Sequence, residues 1–580
     1  MKNSKPNSKI KTEGLLNKLI VGIVITALIS FLLTFFYLPI VKILNFALIQ
    51  EGSFTFDIFW STLTSSLNLN AIAFTFIQSL LTTFICMFLG FPVSFFLAKY
   101  SFKGRKLIIN LLTVPFVLPS IVVLLGFIIL YGEGGFINQI WINIAGVPLI
   151  NLYGSIEGIV LAHSFYNISV IIRMMIPAWE NLDPNLTEIS KTLGGKNWMI
   201  FWKIMFPQIK NYLISAGLLV FTYTFNSFAL VLYLGEVKFQ TLEVRIFKLM
   251  RNTLDFPAGA SLGILQLFFN LIIIILYIIF EKKTRAMASG KDNIYHHEKI
   301  VFLKSNWKKT LGEIILIIFT ILIILFSISP MIAVFITSLT PNTLGGSPFW
   351  GYTSLLSNDY DTLLGAPPSR LLLNTLTFAF LTTLITLIFS IGIVFILRNR
   401  LQRVNNYKKS VIENIISLAI ILPMGTSSIT LAMGLFLQLK DSAVFKNYVW
   451  ILIVLAHVLI SVPFATRSIL SAYNRIDTDL LNIASTLGAS RLRIFWKVEL
   501  PMIKSGLIVA GIFSFAISLG EFGATNFLAR AEYGTLSLGI SKLLSSRTMQ
   551  LPASMASILI IVTFICFFLI QKTGEKDLKF

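Results

Sequence analysis

Glu188-Ile-Ser-Lys-Thr-Leu-Gly194-Gly-Lys-Asn-Trp198-Met-Ile-Phe-Trp202-Lys-Ile-Met-Phe-Pro207 returns later in the chain as Asn482-Ile-Ala-Ser-Thr-Leu-Gly488-Ala-Ser-Arg-Leu-Arg-Ile-Phe-Trp496-Lys-Val-Glu-Leu-Pro501. The separation is 294 residues, and it holds without a gap for His163/His457, Arg173/Arg467, Asp183/Asp477 and Leu242/Leu536. Such agreement marks an internal repeat. Each copy opens on an acidic residue, Asp183 or Asp477, which suits a helix N-terminus. Ile189, Thr192 and Leu193 in one copy, and Ile483, Thr486 and Leu487 in the other, fall at helical spacing. Gly194 and Gly488 then permit the turn that ends a short helix. A second amphipathic stretch follows, with Trp198, Phe201 and Trp202 leading to Pro207, and Phe495 and Trp496 leading to Pro501.

On either side of these loops the chain is apolar. Of 580 residues, 56% are hydrophobic and 13% charged, a balance for which lipid is the natural solvent. Runs long enough to cross a bilayer fall near 19–41, 71–98, 107–130, 156–176, 211–234 and 258–280. A second set falls near 314–338, 371–397, 411–437, 449–470, 505–528 and 553–570. Runs this continuous predict helices, about twelve in all. With a cytoplasmic N-terminus and C-terminus, 36 of the 47 Lys and Arg residues fall on the inner loops and helix ends. The formal charge of +21 is therefore topological, and no nucleic-acid partner is needed to explain it. Six spans per repeat keep both copies in one orientation and predict a pathway between parallel halves. The expected organisation is a first half over 1–280 with its loop at about 183–208, a cytoplasmic linker over 281–311, and a second half over 312–580 with its loop at about 477–502. Cys86 and Cys566 lie in apolar runs and read as small hydrophobes. His296, His297 and Glu298 read as part of a solvated linker, so no metal site is expected.

The paired loops resemble the EAA loop of ABC importer permeases, with Glu188-Ile-Ser and Asn482-Ile-Ala in place of Glu-Ala-Ala. That resemblance implies an all-α polytopic membrane protein of the type I importer (MetI-like) permease fold, in a bacterial cytoplasmic (inner) membrane. It implies that Glu188, Ile189, Thr192, Leu193, Gly194, Phe201 and Pro207, with Asn482, Ile483, Thr486, Leu487, Gly488, Phe495 and Pro501, couple the spans to an ATPase. No Gly-x-x-x-x-Gly-Lys-Ser/Thr phosphate loop is present in the sequence. The chain is thus expected to be no enzyme and to bind no cofactor; ATP and Mg would be used by two copies of a separate ATPase subunit. An external solute-binding protein is the other implied partner.

Polar residues inside spans are candidates for the pathway. They are His163 and His457 in the fourth spans, and Asn226, Ser227, Gly520, Glu521 and Gly523 in the fifth and eleventh. Interhelical hydrogen bonding is the favoured role for the histidines, and helix packing for the Gly-Glu-Phe-Gly segment. Pro115, Pro119, Gly126, Pro423, Gly425 and Gly434 are expected bends. The fused twelve-span arrangement resembles ferric-iron and thiamine permeases. Leu161-Ala-His-Ser-Phe-Tyr-Asn167 and Thr241-Leu-Glu243 favour the thiamine type, while polyamine, sulfate and molybdate permeases share much of the pattern. An ion-coupled secondary transporter is the rival reading; it would use several buried carboxylates, and only Glu521 stands out in a span.

Overall fold

The computed structural model describes residues 22–23, 26–288, 298–299, 307–341, 347–358, 361–401, 423, 426–544, 546 and 548–577. Lipid offers no partner for backbone N–H and C=O groups, so the apolar runs close their hydrogen bonds internally as helices. Among the described residues ten helices are long and apolar enough to span a membrane, with an eleventh if the bent pair Phe495–Met502 and Lys504–Gly520 is one span. The sequence predicts about twelve. The missing one falls at 411–437, where 402–422 and Gly425 lie outside the described residues and only Ser428–Leu439 is a described helix. His296, His297 and most of the linker also lie outside them.

By packing the chain forms two compact units that cut across the sequence repeat. One comprises Met1–Phe46, Ser357–Leu538 and Ile561–Phe580; the other comprises Ala47–Leu356 and Gly539–Ile560. Each is built on the same trio of helices. In the second unit Ser66–Lys99, Ile156–Glu180 and Asn197–Phe225 pack together around Val93, Leu97, Ile171, Met175 and Trp179. In the first unit Pro368–Phe395, Val449–Tyr473 and Lys504–Gly520 pack around Val394, Ala465, Ile469 and Ala510.

Each trio also receives a span from the other half of the sequence. The helix Thr26–Leu48 packs in the first unit, where Phe31 stacks on Phe389 at 4.0 Å and Gln438 Nε2 donates to the Thr34 carbonyl at 3.1 Å. The helix Leu311–Leu339 packs in the second unit, where Phe326 meets Phe165 at 5.9 Å and Tyr100 Oη donates to Glu313 Oε1 at 3.0 Å.

These contacts correct the reading of two glycines as bends. A methyl group on Gly126 would stand 2.7 Å from Pro330 Cβ and 2.8 Å from the Pro330 carbonyl oxygen. One on Gly434 would stand 2.8 Å from Pro39 Cβ. Both glycines are therefore close-approach sites, one in each unit, each facing a proline of an exchanged span. The bend in span three lies instead at Leu118 and Pro119, between Arg105–Val117 and Ser120–Tyr131. Gly126→Ala and Gly434→Ala are each expected to lower stability by about 1–3 kcal/mol through overpacking against backbone that cannot turn away. Heat denaturation of the purified chain measures it, and an unchanged midpoint would contradict these contacts.

Candidate functional site

The two repeated loops fold alike. Pro184–Thr192 and Thr478–Thr486 are nine-residue helices, started by the Asp183 and Asp477 carboxylates, which accept from the N–H groups of Asn185 and Asp479. Both end in the same glycine cap. Gly194 N–H donates to the Lys191 carbonyl and Gly195 N–H to that of Ser190; Gly488 and Ala489 donate equivalently to Ser485 and Ala484. Gly194 and Gly488 sit at φ +79° and +82°, a left-handed conformation that glycine adopts without strain.

The cap leaves an apolar face bare. Leu193 and Leu487 are each 82% exposed, and Ile189 and Ile483 each 55%. Glu188, Thr192, Asn482 and Thr486 are exposed on the same short helices. Trp198 and Trp202 in one loop, and Trp496 in the other, are also exposed. Phe201 and Phe495 differ from the rest of the expected coupling set. Phe495 is buried against Phe395 at 5.0 Å, and Phe201 packs on the core of its own unit. Phe495 is thus withdrawn from the surface, while Phe201 is half-buried. Pro207 is half-buried and Pro501 exposed, each in the first turn of the helix that follows its loop.

Between loop and span each copy makes one π turn, Phe201–Met205 and Phe495–Glu499. Phe206 N–H reaches back to the Phe201 carbonyl, and Leu500 N–H to that of Phe495. Nothing in the spacing announced it, though the repeated Phe-Trp-Lys marks the place. Beyond the π turn the copies part. Asn197–Phe225 runs on as one helix, whereas Phe495–Met502 meets Lys504–Gly520 at a 63° bend.

Spans five and eleven do not run through, as the sequence predicts, but break at equivalent points. The first stops at Phe225 and resumes as Ala229–Leu234; the second stops at Gly520 and resumes as Gly523–Leu528. The expected pathway residues gather at these joints. His163 Nε2 lies 2.6 Å from Ser227 Oγ, tying the fourth helix to the break. Asn226 Oδ1 accepts from Gln266 Nε2 at 3.1 Å and Asn270 Nδ2 at 2.8 Å. In the second half His457 Nδ1 lies 2.8 Å from Ser518 Oγ, and Nε2 lies 3.0 Å from Thr525 Oγ1 and 3.5 Å from Glu521 Oε2. Glu521 is the hinge residue itself. Its carboxylate accepts from the N–H groups of Ala524 and Thr525, both at 3.1 Å, and so caps the helix that follows. A methyl group on Gly523 would stand 2.4 Å from Ser428 Oγ, so this glycine is a close-approach site.

A second pair of anchors ties the end of the repeat to threonines that lie before the aligned stretch. Leu242 N–H donates to Thr75 Oγ1 at 2.9 Å, and Leu536 N–H to Thr375 Oγ1 at 2.8 Å. Glu243, buried beside the first joint, accepts from Gln266 Nε2 at 2.7 Å. Glu521 is therefore not alone as a carboxylate withdrawn from water near a break.

The sequence profile of the binding-protein-dependent transport system inner membrane components matches residues 90–286 and again 403–579. The chain belongs to this family. This binding-protein-dependent permease is accordingly an all-α, multi-pass inner membrane protein with two copies of the permease domain. Among its relatives, the thiamine transport system permease protein of Haemophilus influenzae is 26% identical over 508 residues, covering 87% of this chain and 89% of that one. That of Salmonella typhimurium is 23% identical over 535 residues, covering 90% and 92%. The ferric transport system permease protein of Actinobacillus pleuropneumoniae is 25% identical over 458 residues, covering 77% and 63%. In this permease the profile takes in both repeated loops and both joints.

Proposed function

We propose that the permease carries thiamine inward, driven by a separate ATPase that seats one subunit on each of the two loops. The observation that carries the coupling is the matched apolar face. Leu193 and Leu487, with Ile189 and Ile483, are equally exposed on glycine-capped helices of equal length. Bare leucines on a rigid helix next to lipid-spanning elements suit a groove in a protein partner. Two such faces suit two copies of one subunit. ATP and Mg belong to that subunit in this reading, and both termini lie on its side of the membrane, as the distribution of Lys and Arg favours.

The cargo rests on relatives named for thiamine transport that span nearly the whole chain. A relative named for ferric transport supports ferric iron as the second reading. An external binding protein delivers the cargo to the outer loops. Uptake of labelled thiamine and labelled ferric iron is measured in cells with and without the chain. Thiamine uptake that follows the chain supports the first reading; ferric uptake alone replaces it with the second.

A further inference from the structure

At the two joints the same pair of residue types stands in opposite order. Positions 227 and 243 are serine and glutamate; their counterparts 294 residues on are Glu521 and Ser537. Each half thus holds one carboxylate and one hydroxyl at the break in the helix that leads up from its loop.

The geometry shows the carboxylates acting on the same element by different routes. Glu521 holds its break directly, through the N–H groups of Ala524 and Thr525. Glu243 holds the other at one remove. Gln266 Nε2 donates to Glu243 Oε1 at 2.7 Å and to Asn226 Oδ1 at 3.1 Å, which uses both of its amide hydrogens. Asn226 is the residue at which the helix stops, and its Nδ2 donates to the Thr222 carbonyl at 3.0 Å. The hydroxyls also serve the joints. Ser227 Oγ meets His163, and Ser537 Oγ donates to the Leu519 carbonyl at 3.2 Å. Glu243, Gln266, Asn270 and Ser537 are buried.

We propose that Glu243 is the positioning residue of the first joint, the counterpart in role of Glu521, and that each half requires one carboxylate there from either of two positions. The proposal rests on membership of the permease family and is independent of the cargo. A displacement of a loop reaches the outer part of its span only through the break, so a joint with no carboxylate transmits poorly. Ser227 stands beside His163 as Glu521 stands beside His457, and the N–H groups of Leu230 and Val231 are the equivalents of those Glu521 caps.

The test moves the carboxylate within one half. Glu243→Ser should lower thiamine uptake about ten-fold or more, the effect of losing a hydrogen bond in a buried network. Adding Ser227→Glu to that chain should restore uptake to within about three-fold of the unsubstituted protein, as coupled neighbours do. Adding Ser537→Glu instead restores the number of carboxylates in the wrong half and should restore nothing. The heat-denaturation midpoint of each purified chain in lipid nanodiscs should rank the variants in the same order. If the unsubstituted chain imports no thiamine, the cargo reading fails while that ranking still tests the joint. Normal uptake or midpoint in Glu243→Ser, equal rescue by Ser537→Glu, or no rescue by Ser227→Glu in chains present at normal membrane level would overturn the proposal.

Discussion

Replacing Leu193 and Leu487 together with aspartate is expected to abolish ATP-driven uptake while the chain stays in the membrane at its normal level. Each leucine is 82% exposed, and its only part in the helix is a backbone N–H that donates to the Ile189 or Ile483 carbonyl, a bond that aspartate keeps. Folding therefore loses almost nothing. Docking loses a great deal. Burying a leucine in a partner contributes about 1.5–3 kcal/mol, and burying an unpaired carboxylate in its place costs several more. Over two sites the affinity falls by well over a thousand-fold, since about 1.4 kcal/mol is a factor of ten. Membrane level and heat midpoint should not move. A fall in both would mean that the leucines support the fold instead.

The second large effect is on stability, and it separates the two histidines. His457→Ala should lower the stability of the purified chain by about 3 kcal/mol, and His163→Ala by about 1 kcal/mol. His457 engages both ring nitrogens, with Ser518 and Thr525, and also faces Glu521. Removing it strips the carboxylate, two hydroxyls and the joint of a shared partner in a place water does not reach. His163 makes one such contact, to Ser227, and its Nδ1 has no hydrogen-bond partner among the described residues. Heat denaturation in nanodiscs ranks the pair; equal losses would contradict this account of the joints.

The loops were legible because their signals are local. Asp183 before a helix, Gly194 after it and apolar residues at helical spacing describe the same element, and the copy around Gly488 repeats it. Their exposed faces follow from the same pattern. The histidines fall on Ile156–Glu180 and Val449–Tyr473, and each bonds to another span. What stayed hidden depends on contacts far apart in sequence. Gly126 and Gly434 read as bends because a glycine in a helix is ambiguous until Pro330 and Pro39 are seen against them. The breaks at Asn226 and Glu521 were invisible because their flanks are as apolar as the spans themselves. Glu243 figures in the sequence only as the end of Thr241-Leu-Glu243 and not as a residue of the joint, because it lies outside the long apolar runs, in the short helix Leu242–Arg251. Only the fold brings it beside Gln266. Phe201 and Phe495 share the spacing of the exposed tryptophans, and a π turn rotates what an α-helical count assigns to a face.

The coupling is tested most directly by cross-linking Leu193→Cys and Leu487→Cys, one at a time, to the ATPase subunit that copurifies with the full-length chain. Cys86 and Cys566 are buried, so the introduced thiol is the reactive one. Each position should capture one subunit, and the two together should capture two copies, with ATP hydrolysis blocked once both are joined. No adduct at either position, with ATP-driven uptake intact in the double aspartate chain, would contradict the claim that these loops carry the energy into the membrane.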